Sequence, residues 1–182
     1  MRSIRRLGDL PAGRSLAADD LLEFHAARLL LLLHLCGTAG RIDGLTKLAK
    51  LDFFVRYPQF FNEAVAREGQ NARSATQTVE SSMIRHHYGP WDKRYYRVLP
   101  YLEGCGLIQV RKEGNAYRFE LTGIGREAAK RLAGDRAFEE MVQQMQQVKK
   151  AFGGRAGSAL KRLIYEVFDR EVGQKKLGEV IR

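Results

Sequence analysis

Residues 93–122 read KRYYRVLPYLEGCGLIQVRKEGNAYRFELT, and the fold turns on them. Tyr95, Val98, Leu99 and Leu102 recur three and four apart, the spacing of one side of a helix from about Lys93 to Glu103. Asp92 is available to cap its start, and Gly104 or Gly106 to stop it. The chain then reads as a strand over 107–112, a turn at Glu113-Gly114-Asn115, and a second strand over 116–121. Helices followed by a helix that runs straight into a basic-tipped hairpin give the order of a winged helix-turn-helix. The fold expected is therefore mainly α with a small β-hairpin wing, followed by a C-terminal helical extension.

Upstream, the segment SSMIRHHYG is either a short strand or an extended approach to Gly89-Pro90. Before it, GQNARSATQTVESS is polar and small and reads as a loop. The pattern GLTKLAKLDFFVRYP predicts a helix from about Leu45 to Arg56, ended before Pro58. Its Leu45, Leu48, Leu51 or Asp52, and Val55 follow helical spacing, and Lys47 and Lys50 share what reads as an outer face. A short helix is expected near QFFNEAVAREG. Further upstream, about 20–36 is a helix apolar nearly all round between Leu29 and Leu33, which belongs at the centre of a core. Asp20 and Glu23 resemble an acidic capping box at its start, and Gly37 ends it. Residues 1–18 hold Pro11, two glycines and four arginines and read as an arm. Downstream, TGIGREAAKRLAG is a helix begun by Thr122, and 135–152 and 157–172 are amphipathic helices. The division expected is an arm over 1–18, a winged-helix domain over 19–134 and the extension over 135–182.

The chain has 182 residues, 45% of them hydrophobic, and a formal net charge of +10. That charge suits a polyanionic partner, nucleic acid before any acidic membrane or protein. Cys36 and Cys105 each lie beside an apolar run, so both read as buried thiols of a reducing compartment, not as a disulfide. MRSIRR followed by LLLLLHLCG imitates a lipoprotein signal. Asp19, Asp20 and Glu23 precede that run, His34 and Leu35 stand where cleavage wants small residues, and Arg28 and His34 cut it short of a membrane span. The expectation is a cytoplasmic protein without a membrane partner.

No catalytic pattern emerges. His86 and His87 are adjacent and would face opposite ways on a strand, and His34 and Cys36 diverge on a helix. HExxH, P-loop and G-x-S-x-G motifs are missing from the sequence. Asp92, Glu103 and Glu113 are too scattered to hold the Mg²⁺ of a nuclease. The expectation is a chain without catalytic residues, metal or cofactor.

A nucleic-acid reading fits more of the residues. Arg94, Arg97 and Tyr101 share a second face of the 93–103 helix, with Lys93 at its start, and Arg111, Lys112 and Arg118 charge the hairpin. Basic side chains with an interleaved tyrosine suit phosphate contact, the competing reading being a solvated basic face. Pro100 removes a backbone donor inside that helix, which argues against sequence-specific base reading and leaves phosphate contact intact. On the C-terminal helices, Phe138, Met141, Met145 and Val148 form one stripe. Such a stripe either closes the domain's own core or grips a partner helix.

At GLTKLAKLDFFVRYP, MIRHHYGPWDKRYYRVLPYLEGCGLIQV and ELTGIGREAAKRLA the chain resembles the middle-component proteins of bacterial three-component ABC-ATPase conflict systems, which overlap with Lamassu anti-phage systems. The resemblance covers about residues 40–133. It implies a non-catalytic accessory subunit beside an SMC- or Rad50-like ATPase and an effector, often a nuclease. It also implies that Leu45 to Pro58 and Tyr88 to Gly106 are framework. The assignment of Lys93, Arg94, Arg97, Arg111, Lys112 and Arg118 to double-stranded DNA comes from their chemistry. The competing function is a free-standing winged-helix transcriptional regulator.

Overall fold

The computed structural model describes residues 17–69, 83–87 and 89–181. Helix α1 (Leu22–Cys36) occupies the centre, because Leu29 to Leu33 are all buried and five successive positions sweep more than a full turn. The capping box expected at Asp20 does not form. Leu21 is the N-cap, and the Asp20 carboxylate instead accepts the Ala17 N–H at 3.1 Å and closes a 3₁₀ turn, Ala18–Asp20. A short strand β1 (Arg41–Asp43) leads into α2 (Leu45–Arg56), and α3 (Pro58–Arg67) starts on Pro58, where an N–H would have no helical partner anyway. The polar loop expected after α3 lies outside the described residues from 70 to 82.

β2 (Ile84–His86) and β3 (Gly89–Trp91) pair antiparallel, which resolves the open reading of this segment as a tight hairpin. Helix α4 (Tyr95–Gly104) begins two residues later than expected, after a turn in which the Asp92 carboxylate accepts the Arg94 N–H at 2.9 Å. Next come β4 (Ile108–Glu113) and β5 (Ala116–Leu121), joined by Gly114-Asn115 with Gly114 at φ 57°. β5 pairs with β4 on one side and β1 on the other, giving the sheet order β1-β5-β4. Helices with a three-stranded sheet of this order, and α4 directly before the hairpin, make the fold mainly α with a β-hairpin wing.

Helix α5 (Gly123–Ala133) is capped by the Thr122 hydroxyl, which accepts the Gly125 N–H at 3.0 Å and donates to the Gly106 carbonyl at 2.7 Å. Gly125 permits this closeness, since any Cβ there would collide with the Leu107 carbonyl oxygen. A 3₁₀ turn (Arg136–Phe138) precedes α6 (Glu139–Phe152), and α7 (Gly157–Val167) runs into a π-helical turn, Asp169–Gly173. The last described residues pair with β2: Arg85 N–H donates to Glu179 O, and Ile181 N–H donates to Met83 O, each at 2.8 Å.

The segment expected as an appended extension shares the core of the rest. α6 packs on α1, α2 and α3, and α7 on α2 and α3. Phe152 meets Phe54 with ring centroids 4.6 Å apart, and Phe168 meets Phe60 at 4.8 Å. Lysines tie helix ends across this junction. Lys149 Nζ donates to the Gly37 carbonyl at 2.7 Å, behind α1, and Lys47 Nζ to Gly153 at 2.9 Å, behind α6. Both place a cation at the negative end of a helix. Cys36 is buried, donates to Met145 O at 3.3 Å, and burial pushes its thiol up to about 12. Cys105 is exposed, contrary to expectation, because α4 ends at Gly104 and the chain turns outward there. Among the described residues no helix is long and apolar enough to cross a membrane.

Met145 and Val148 have no exposed surface. They therefore face this chain's own core, and of the four side chains expected to grip a partner only Phe138 and Met141 are part-exposed. Met145→Asp should destabilise the isolated chain by about 3–5 kcal/mol, the range for a buried unpaired charge. Met141→Asp should cost less. Urea titration followed by circular dichroism measures both, and deletion of 135–182 should abolish the cooperative transition.

Candidate nucleic-acid interface

A cluster of charges buried between α1, α2 and the start of α4 holds α4 in place. Arg28 Nε donates to Asp52 Oδ1 at 3.0 Å, and its Nη1 lies 2.9 Å from His25 Nδ1. Tyr95 donates its hydroxyl to Asp52 Oδ2 at 2.6 Å. Arg56, one turn after Asp52 on α2, donates to Asp92 Oδ2 at 2.7 Å. Arg94 Nε reaches Asp92 at 2.9 and 3.1 Å, and its Nη1 lies 2.8 Å from His25 Nε2. Arg28, Asp52, Arg56, Asp92 and His25 are all buried, and Arg94 reaches partly into solvent. Burial alone would raise the Asp92 carboxyl, but the Arg94 hydrogen bonds and the Arg56 charge outweigh it and hold it below the usual carboxylate range. Burial, and then the Asp52 carboxylate, push the Tyr95 phenol well above its usual value, so it stays a donor.

With Tyr95, Val98, Leu99 and Leu102 turned inward as expected, α4 presents Tyr96, Arg97, Pro100 and Tyr101 to solvent, and Lys93 is exposed in the turn before it. Lys93 and Arg97 make no ion pair among the described residues. On the wing, Arg111 and Lys112 are exposed, and Arg111 donates to Gln109 at 3.0 Å. Arg118 differs: it is bound to Asp43 at 3.0 Å and to Glu113 at 2.6 Å, across the sheet. Arg94 likewise commits its guanidinium to Asp92 and His25. The six expected DNA contacts thus divide into Lys93, Arg97, Arg111 and Lys112, turned outward, and Arg94 and Arg118, engaged in structure. A cleft of about 70 Å³ between α1 and α4 is lined by Asp20, Leu22, His25, Arg94 and Arg97. It is far below the few hundred Å³ of a small-molecule site. Among the described residues no group of three or more His, Cys, Asp or Glu is placed to hold a metal ion.

Lys50 was expected on an outer face and is fully buried. Its Nζ donates to the Pro90 carbonyl at 2.7 Å and lies 5.6 Å from the centre of the Trp91 ring. Gly89, at φ 89°, brings the hairpin backbone against Lys50. Burial, and next the charge of Lys161, lower Lys50 from 10.5 to about 7. Its amine still donates to Pro90 when neutral.

Comparison of the chain with protein-family models, with curated proteins and with solved structures finds no match. The residues that sequence reasoning missed are Arg28, Asp52 and Arg56 as a network. The available signal was charge embedded in apolar runs, AARLLLLL and LDFFVR, where each charge must find a partner.

Asp52→Ala strands Arg28 and the Tyr95 hydroxyl and should cost about 3–5 kcal/mol in a urea titration. For Asp92 the folded value is depressed, so its contribution to stability is full above the ordinary carboxylate value and fades as pH falls below it. Lys50 also has a depressed folded value, but as a base it makes the unfolded chain bind more protons between about 7 and 10.5. Its contribution therefore grows more favourable as pH rises through that window. Lys50→Met should flatten the measured dependence there, and Asp92→Asn should flatten it in acid.

Proposed function

We propose that this chain is a non-catalytic, DNA-contacting winged-helix subunit that links a large SMC- or Rad50-like ATPase to its effector. The observation that carries the DNA part is the outward set Lys93, Arg97, Arg111 and Lys112, on α4 with the turn before it and on the hairpin that follows. Four cations spread over two adjoining elements suit phosphates along a backbone, which are regularly spaced and carry no sequence information. Pro100 supports backbone contact over base reading. It sits on the outward side of α4 and has no N–H for the Tyr96 carbonyl, so the helix lacks a regular exposed turn where base-reading side chains would be needed. The ATPase part rests on the resemblance at residues 44–58, 83–110 and 120–133. In those stretches the buried side chains Lys50, Asp52, Arg56 and Asp92 act as framework. The burial of Met145 and Val148 moves the expected partner surface off the middle of α6, toward Phe138 and Met141 at its start.

Replacing Lys93, Arg97, Arg111 and Lys112 together by Ala should weaken duplex binding alike for unrelated sequences. It should also reduce the slope of log affinity against log salt by about 0.9 for each phosphate no longer neutralised. Arg118→Ala should change that slope little, since Arg118 is held by Asp43 and Glu113. Unchanged affinity in the quadruple variant would make the basic face merely solvated. Affinity purification of a tagged chain expressed with its genomic neighbours tests the ATPase link. A homodimer that protects one palindromic site, with no ATPase retained, would favour the transcriptional regulator.

A further inference from the structure

The geometry points to a second nucleic-acid site, on the β2–β3 hairpin and the first turn of α4, that takes an unpaired stretch of strand by stacking its bases on Tyr96 and His87. It shares Lys93 with the outward set proposed for duplex but uses neither Arg111 nor Lys112 of the wing, so it does not depend on the duplex reading. Four rings run in contact through this region. His87 meets His86 at 5.5 Å between centroids, His86 stacks on Trp91 at 5.1 Å and 23°, and Trp91 meets Tyr96 at 6.3 Å. Trp91 is buried at 3% exposure, whereas the two ends are open: His87 is exposed and Tyr96 is 61% exposed. A buried indole thus braces aromatic faces that reach solvent. Tyr96 has no structural hydroxyl bond among the described residues, in contrast to its neighbour Tyr95, which is engaged by Asp52.

Two lysines border this ledge: Lys93 is exposed one turn before Tyr96, and Lys161 of α7 lies 5.8 Å from the ring of Tyr165, while the buried Lys50 of α2 only braces Trp91 from beneath. Tyr165 and Lys50 both approach the Gly89 backbone, each 3.4 Å from where a Cβ would stand. After burial, the charges that act on His86 are His87, Lys50 and Lys93, all basic, and they keep its imidazole low. The carboxylate nearest in sequence, Asp92, is buried and already neutralised by Arg56 and Arg94. Exposed rings bordered by lysines are what an unpaired strand requires, because every base has a face to stack and every linkage a phosphate. A duplex keeps those base faces inside its own stack and cannot use them.

The test uses the full chain and a labelled oligothymidine of about 12 nucleotides, a length within one single-strand site. Affinity is read by anisotropy, and emission of Trp91, the chain's single tryptophan, is followed in parallel. Tyr96→Ala and His87→Ala should each weaken oligothymidine binding about tenfold, the effect of removing one stacked base. Tyr96→Phe should retain affinity, and the Trp91 emission of the unaltered chain should be quenched on binding. The double variant Arg111→Ala with Lys112→Ala should lose duplex affinity while keeping that for oligothymidine. Matched thermal melts exclude misfolding as the cause. Equal binding by Tyr96→Ala and Tyr96→Phe would overturn the inference, and so would a parallel loss of both affinities in the wing variant. Oligothymidine binding without duplex binding would sink the duplex reading and leave this site standing; the reverse would sink this site alone.

Discussion

The pairing of Arg28 and Arg56 with Asp52 and Asp92 is the constraint on which the arrangement of α1, α2 and α4 depends. These side chains are buried, so each charge must be met by another or destabilise the fold by several kcal/mol. Asp52 accepts from α1 through Arg28 and from α4 through Tyr95. Asp92 accepts from α2 through Arg56 and from the turn before α4 through Arg94. Two carboxylates therefore join three helices. A buried ion network is a poor source of net stability compared with apolar packing. Its effect here is on orientation: sliding or rotating α4 would leave a guanidinium or a carboxylate alone in the core. The outward side of α4 is fixed by what its inward side must satisfy.

Periodicity made the elements legible and left their partners obscure. The range Leu45–Arg56 and the strand to Leu121 stand where the pattern put them, because apolar spacing and turn glycines act locally. Lys50 failed for a reason inherent in such patterns. A lysine one turn after another lysine, Lys47, scores as outward, yet α2 is enclosed by α1, α6, α7 and β3 and has little outside to offer. Asp52 and Arg56, on the same helix, are buried too. The stripe of Met145 and Val148 was read correctly as apolar, but a stripe does not say whose core it closes. The packing of α6 on α1, α2 and α3, where its Phe152 meets Phe54 and Phe61, decides that. Cys105 erred the other way, since an apolar neighbourhood in sequence ended at a glycine turn that faces solvent.

Burial and pairing also sort the excess of positive charge. Arg28, Arg56, Arg94 and Arg118 are held by Asp52, Asp92, Asp43 and Glu113, so these four carboxylates are occupied and do not screen the surface. Lys47 and Lys149 are taken by helix-end carbonyls. The net charge of +10 is therefore not spread evenly over every basic residue. It is expressed by those that the interior does not use, and on α4, the turn before it and the wing these are Lys93, Arg97, Arg111 and Lys112. Arg94 stands at the boundary between the two groups, with one side on Asp92 and His25 and the other lining the cleft with Arg97. Through it, the network that orients α4 also holds the start of the outward face against α1.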